Sequence, residues 1–119
     1  RVERHSIWSR PIPVSRRPAG DHDQSPLTVR GPDWFADGYR LSPGATDLLT
    51  LFGAEHGLGG IQGANDTRTT DESPERVALV QQATLAYLRT ALGLDQGAWT
   101  TVRRALAAAD APLGSIDSK

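Results

Sequence analysis

Cysteine and methionine are both absent from the 119 residues. Without cysteine there is no disulfide staple and no thiolate to hold a metal. That excludes a disulfide framework and a zinc-ribbon type of site, but it does not fix a compartment. Without methionine, and with Arg1 in first place, the expected reading is a fragment, a trimmed chain or a processed product. A signal peptide lost with the start of such a chain leaves no trace, so cytoplasmic and secreted locations both stay open. No apolar run approaches the roughly 18 residues of a membrane span, and no membrane partner is expected. Aromatic residues make up only 6% of the chain, so any core is built mostly from aliphatic side chains. The length suits one domain with a modest core.

Charge is present but unevenly placed. Five arginines (Arg1, Arg4, Arg10, Arg16 and Arg17) against Glu3 leave the first 20 residues at net +4. The remaining 8 basic and 13 acidic residues leave the rest at net −5. A basic arm on an acidic body offers a contact for nucleic acid or an anionic surface. The arm lacks periodicity, however, and Pro11, Pro13 and Pro18 interrupt it. Residues 1–19 are therefore expected to be a disordered or poorly packed arm, without a nucleic-acid partner. Residues 20–119 form the body.

The body opens with a stretch rich in turn formers, residues 20–46. Within it, Leu27 to Val29 suggests a short extended segment, and Pro32 to Asp37 suggests one helical turn with Trp34 and Phe35 pointing inward. Asp47–Gly60, reading DLLTLFGAEHGLGG, carries the strongest local signal. Its apolar run at about 47–52 has almost no polar alternation, as expected of a strand buried on both faces of a parallel sheet. Ligand and catalytic residues in such sheets sit just beyond the carboxyl ends of the strands. Here that place is taken by a glycine-rich turn presenting Glu55 and His56.

Two helices follow. The first is predicted at about 74–92, with Ser73 as N-cap, Pro74 at the first helical position and Glu75 at the positive end of the helix dipole. Val77, Val80, Thr84, Tyr87, Leu88, Ala91 and Leu92 recur at helical intervals and predict its inward face. Gly93 supplies a left-handed stop. The second is predicted at about 98–109, with Trp99, Val102 and Leu106 on one side and Pro112 beyond its end. The residues after Pro112 read as a frayed tail. In this reading the strand at 47–52 has no visible neighbour, which predicts poor amide protection at Leu49 to Phe52.

Candidate chemistry is sparse. Asp21-His22-Asp23 offers oxygen and nitrogen ligands to a metal, but three adjacent residues rarely converge on one ion. Gly57, Gly59, Gly60 and Gly63 suggest a phosphate-cradling loop, yet their spacing is not G-x-G-x-x-G and no helix starts directly after them. Their simpler role is to let the backbone turn tightly around His56. A lone histidine in a loop is commonly a surface or capping residue, and an aspartate in a turn commonly caps backbone.

The order of these elements adds a resemblance. A turn with acidic residues, Gly20-Asp21-His22-Asp23, is followed by a buried strand, a loop with one histidine, and a long helix. FGAEHGLGG and TTDESPERVALVQQATLAYLRTAL resemble the histidine loop and final helix of bacterial α/β-hydrolases related to chlorophyllases and dienelactone hydrolases. The resemblance covers about residues 20–109. It implies an α/β fold class, with the chain as the C-terminal portion of an α/β-hydrolase domain. It further implies a Ser-Asp-His carboxylic-ester hydrolase that uses no cofactor, with His56 as base and Asp23 as acid, and Asp21 as the alternative acid. The triad order in that fold is Ser, acid, His, and Asp23 precedes His56.

The sequence departs from the pattern in two places. No G-x-S-x-G occurs, so the elbow that exposes the nucleophile is missing, together with the part of the oxyanion hole built on it. Ser25 lies two residues from Asp23 and on no elbow. Upstream of Gly20, where the family has a buried strand that aims the acid, the chain reads Ile12-Pro13-Val14-Ser15-Arg16-Arg17-Pro18-Ala19, which is unsuited to a central strand. Whether the chain is an enzyme in its own right therefore stays open. An ester substrate is expected only in an intact parent enzyme, and oligomeric state is left open. The alternative is a small, mainly helical interaction module without catalysis.

Overall fold

A computed structural model of the chain describes residues 19–20, 36–61 and 70–119. Its elements run β1 (Ala19–Gly20), α1 (Asp37–Leu41), β2 (Asp47–Leu51), α2 (Pro74–Ala91), α3 (Ala98–Ala108) and β3 (Gly114–Ser118). The proposed segment at 27–29 and the inward ring positions Trp34 and Phe35 lie outside the described residues. The helical turn expected over Pro32 to Asp37 lies mostly outside the described residues; α1 starts at Asp37, where that turn is expected to end, and runs to Leu41.

β2 forms where the apolar run predicts it, and it is not alone. β3 pairs with it antiparallel over five residues, from Asp47↔Ser118 to Leu51↔Gly114. On the other edge β1 pairs with it parallel, Ala19↔Thr50 and Gly20↔Leu51. The strand order is β1-β2-β3, so β2 is central. Two corrections follow. The tail after Pro112 is an edge strand, not frayed chain, and the strand at 47–52 does have neighbours. The backbone ladder explains why: buried N–H and C=O groups must be paired, and the tail supplies partners that hydrophobic patterning does not advertise. GSIDS carries one large apolar residue, Ile116, which faces Leu49 across the ladder.

Beyond the strands the ladder continues. Thr46 N–H donates to the Lys119 carbonyl at 2.9 Å, Lys119 N–H donates back to Thr46 at 3.0 Å, and Phe52 N–H donates to Leu113 at 2.9 Å. Lys119 also donates from Nζ to the Arg40 carbonyl at 2.9 Å and lies 5.1 Å from the Tyr39 ring centroid, which fastens the strand end to α1. Ala19, assigned from sequence to the arm, is paired in the sheet.

Leu48, Leu49 and Leu51 are all buried, as the missing alternation suggests. Phe52 is different: the strand ends at Leu51 and Phe52 is exposed in the following turn. Leu49 and Leu51 pack with Ala54, Val80 and Ala83, and Leu58, Leu79, Trp99, Val102, Leu106 and Ile116 close around them. The core therefore sits between one face of the sheet and the pair α2–α3.

α2 obeys its end signals. The Ser73 hydroxyl accepts from Arg76 N–H at 3.3 Å, three residues on, and Pro74 opens the helix. At the other end Gly93 has φ +74°. Gly93 N–H donates to Thr90 and Leu94 N–H to Arg89, the paired bonds of a Schellman stop. Its inward face is rotated from the expected one. Val80, Ala83 and Ala86 are buried, whereas Thr84, Leu88, Ala91 and Leu92 are exposed. Small side chains at 83 and 86 let α3 approach closely, and Tyr87 meets Trp99 edge to face with centroids 5.5 Å apart. Apolar residues on both sides of α2 blur the periodic signal. The start of α3 is tied to the end of α2 by Thr90, whose hydroxyl donates to the Asp95 carbonyl and accepts from Trp99 N–H. Trp99, Val102 and Leu106 line the core side of α3 as expected.

The paired ladder reverses the exchange expectation. Amides of Leu49 to Leu51 should exchange slowly in a monomer, with protection factors matching those of mid-α2. Gly114 gives an independent check, since a Cβ built there would lie 2.2 Å from the Thr50 carbonyl oxygen. Gly114→Ala should destabilise the chain by about 1–3 kcal/mol in urea unfolding and open the β2–β3 ladder first.

Candidate functional site

The parallel pairing of β1 and β2 decides where the site lies. Parallel strands end on the same side of a sheet, so the chain leaves β1 after Gly20 and β2 after Leu51 at one edge. The two exits touch. A Cβ on Gly20 would lie 2.1 Å from the Ala54 carbonyl oxygen and 2.8 Å from that of Glu55. Glycine at position 20 is what allows this approach. Asp23 itself, like Asp21 and His22, lies outside the described residues.

The loop leaving β2 runs from Phe52 to Ile61 as a series of tight turns. Gly53, Gly59 and Gly60 have φ of +69°, +88° and +103°; of the four glycines expected to turn the backbone around His56, Gly59 and Gly60 take this conformation, Gly57 does not, and Gly63 lies outside the described residues. Leu58, at φ +52°, adopts the left-handed region without that freedom, and its N–H donates to the Glu55 carbonyl at 3.0 Å. His56 is exposed, while Ala54, Gly57 and Gly59 around it are buried. The loop therefore presents one imidazole to solvent at the sheet edge.

Several groups hold the loop from the side of α2. Asp71, only 8% exposed, places Oδ2 where it accepts Glu55 N–H at 2.7 Å and Gly59 N–H at 2.9 Å. Ser73 N–H donates to the Gly59 carbonyl at 2.8 Å. Arg76 donates from Nε to the Phe52 carbonyl at 2.9 Å and from Nη1 to the Asp71 carbonyl at 3.3 Å. The Glu55 carboxylate turns back to Thr70, accepting from its hydroxyl at 2.6 Å and its N–H at 3.2 Å. Glu55 thus has a structural partner in Thr70.

Asp71 and Arg76 are absent from the sequence-derived candidates. An aspartate two residues before an N-cap reads as part of the helix entry. Its hydrogen bonds reach back 12 and 16 residues, a separation that local pattern does not reveal. Among the described residues no three His, Asp or Glu side chains are grouped to hold a metal ion. The Asp21-His22-Asp23 possibility lies outside the described residues. Among the described residues no helix is long and apolar enough to cross a membrane.

Comparison with known proteins returns no match to a family model, a curated protein or a solved structure. The chemistry of the site therefore rests on its own geometry.

The contact between the two strand exits is testable. Gly20→Ala should cost about 1–3 kcal/mol of stability. Its amide chemical-shift changes should be largest at Ala54 and Glu55 and small along β3, as read from 1H–15N spectra.

Proposed function

We propose that this chain is the C-terminal portion of an α/β-hydrolase type of carboxylic-ester hydrolase. It contributes the base, His56, and the acid, Asp23, while the nucleophile lies on a preceding half. The observation that carries this reading is the shared exit of β1 and β2. In sequence Asp21 and Asp23 follow one strand, an exposed histidine follows its parallel neighbour, and the exits are in van der Waals contact. Sites in open α/β sheets gather beyond the carboxyl ends of strands in this way.

The roles follow from the side chains. A neutral imidazole takes the proton of a serine hydroxyl as that oxygen attacks the ester carbonyl. The same imidazolium then returns the proton to the leaving alcohol. A carboxylate on the other ring nitrogen holds the tautomer and stabilises the imidazolium. Water repeats the sequence to release the acid, and no cofactor enters these steps. Exposure of His56 suits a base that must meet a hydroxyl delivered from elsewhere in the molecule. Asp21 is the alternative acid, displaced by two residues without change of mechanism.

A second reading, a non-catalytic interaction module, draws on one observation. Leu85, Leu88 and Leu92 are 59%, 48% and 67% exposed on the face of α2 that points away from the core.

Two measurements test the hydrolase reading, and the second separates it from the interaction module. The chain alone should show no saturable, His56-dependent turnover of p-nitrophenyl acetate, because it has no serine elbow. Such turnover would overturn the division of labour proposed here. Joined to an upstream coding region with G-x-S-x-G after an apolar strand, the protein should hydrolyse the ester. His56→Ala should then lower kcat/KM by about 10²–10⁴-fold, Asp23→Asn should lower it as well, and Asp21→Asn should leave it nearly unchanged. Activity indifferent to His56→Ala would favour the interaction module.

A further inference from the structure

The loop that carries His56 is held from both sides by a single atom. Asp71 Oδ2 accepts the N–H of Glu55, one residue before the histidine, and the N–H of Gly59, three residues after it. Hydrogen bonds to a carboxylate are shorter and about twice as strong as those between neutral groups, and the 2.7 Å and 2.9 Å distances fit that class. Asp71 is itself fixed. It is buried, its carbonyl accepts from Arg76, and two residues later the chain enters α2 through the Ser73 cap. Its other carboxyl oxygen, Oδ1, is buried and has no hydrogen-bond partner. Keeping such an oxygen from water costs about 1–3 kcal/mol.

We propose that Asp71 is the positioning residue of His56: its carboxylate presets the turn at 55–59, so that the imidazole stands in one place at the sheet edge before any substrate arrives. The clamp rests on geometry alone, and its catalytic meaning rests on His56 being the base. Arg76 and Ser73 secure the two ends of the loop at the carbonyls of Phe52 and Gly59. Among the described residues, Asp71 is the side chain that bridges across the histidine. Removing it should free the turn between those two anchors while leaving the anchors in place. Supporting groups of this kind hold functional side chains to within about 0.5 Å of productive geometry.

The test uses 15N relaxation and amide exchange on the full 119-residue chain, as wild type, Asp71→Asn and Asp71→Ala. Wild-type order parameters at Glu55 to Gly59 should be near those of a rigid backbone, about 0.85. In Asp71→Ala they should fall below about 0.6, and exchange at Glu55 and Gly59 should quicken at least ~10-fold, the full free-energy equivalent of one weak hydrogen bond. Values in β2 and mid-α2 should hold. Asp71→Asn keeps an acceptor oxygen without the charge and should fall between the two. Unchanged order in the loop, or loosening spread equally through β2, α2 and the loop, overturns the proposal. If Asp71→Ala does not fold, Asp71→Asn decides: upfield movement of the Glu55 and Gly59 amide protons supports the clamp, and unmoved resonances overturn it. In the enzyme joined to its upstream half, Asp71→Asn should lower kcat and leave KM unchanged. A loosened loop in a protein whose esterase activity ignores His56→Ala upholds the clamp and removes the base assignment instead.

Discussion

A strand of five residues with hydrogen-bonding neighbours on both edges is the constraint on which the rest of this structure turns. β2 carries the largest fully buried side chain among the described residues, Leu51, and its backbone groups can be satisfied only by other strands. β3 returns from the end of the chain to complete one edge. β1 completes the other over two residues, too short a piece to persist as an isolated pair. Its place is secured by Gly20, which packs against the Ala54 and Glu55 carbonyls beyond the end of β2. The sheet and the histidine loop are therefore one construction. The glycine that ends β1 also leans on the loop that carries His56.

Loop rigidity comes from backbone contacts more than from apolar packing. Carbonyls of Phe52 and Gly59 and amides of Glu55 and Gly59 are each engaged by residues between Asp71 and Arg76. Those residues are ordered because Ser73 and Pro74 start α2 at a defined point. Helix capping, a local property, is thus converted into control of a loop that lies more than ten residues upstream. Leu58 in the left-handed region shows the conformational demand being met without glycine. The surrounding bonds hold a geometry that leucine disfavours by about 1–2 kcal/mol.

Features governed by neighbours in sequence were legible. The limits of β2, α2 and α3 follow from the apolar run, the Ser-Pro entry, the Gly93 stop and the Pro112 that follows α3. The exposed histidine in a glycine turn was legible for the same reason. Features governed by distant pairing were not. GSIDS has no strand-like alternation of large residues and becomes β3 because β2 requires an edge. Asp71 resembles any acidic residue near a helix start, and its importance lies in amides brought to it by the fold. The inward face of α2 was misread because Leu85, Leu88 and Leu92 compete with Val80, Ala83 and Ala86 for the periodic signal. Small alanines win where a second helix must pack closely.

That competition bears on what the chain does. A surface helix of a self-sufficient domain normally keeps its outer face polar, whereas α2 sets three leucines there. Among the described residues the core it covers holds Leu49, Leu51, Ala54, Val80 and Ala83, with larger side chains such as Trp99 and Leu106 partly enclosed. On the proposed hydrolase reading the outward leucines and the bonded loop go together. Base and acid loops need tight local bonding to stay in register with each other. A preceding half that brings the serine would also extend the sheet beyond β1 and add apolar surface around the helices. An interaction module explains the leucines but gives no particular reason for a buried carboxylate to bridge the turn on both sides of an exposed histidine. The Asp71 arrangement is thus the feature that weighs between the two readings, and it favours a loop built to keep His56 in place.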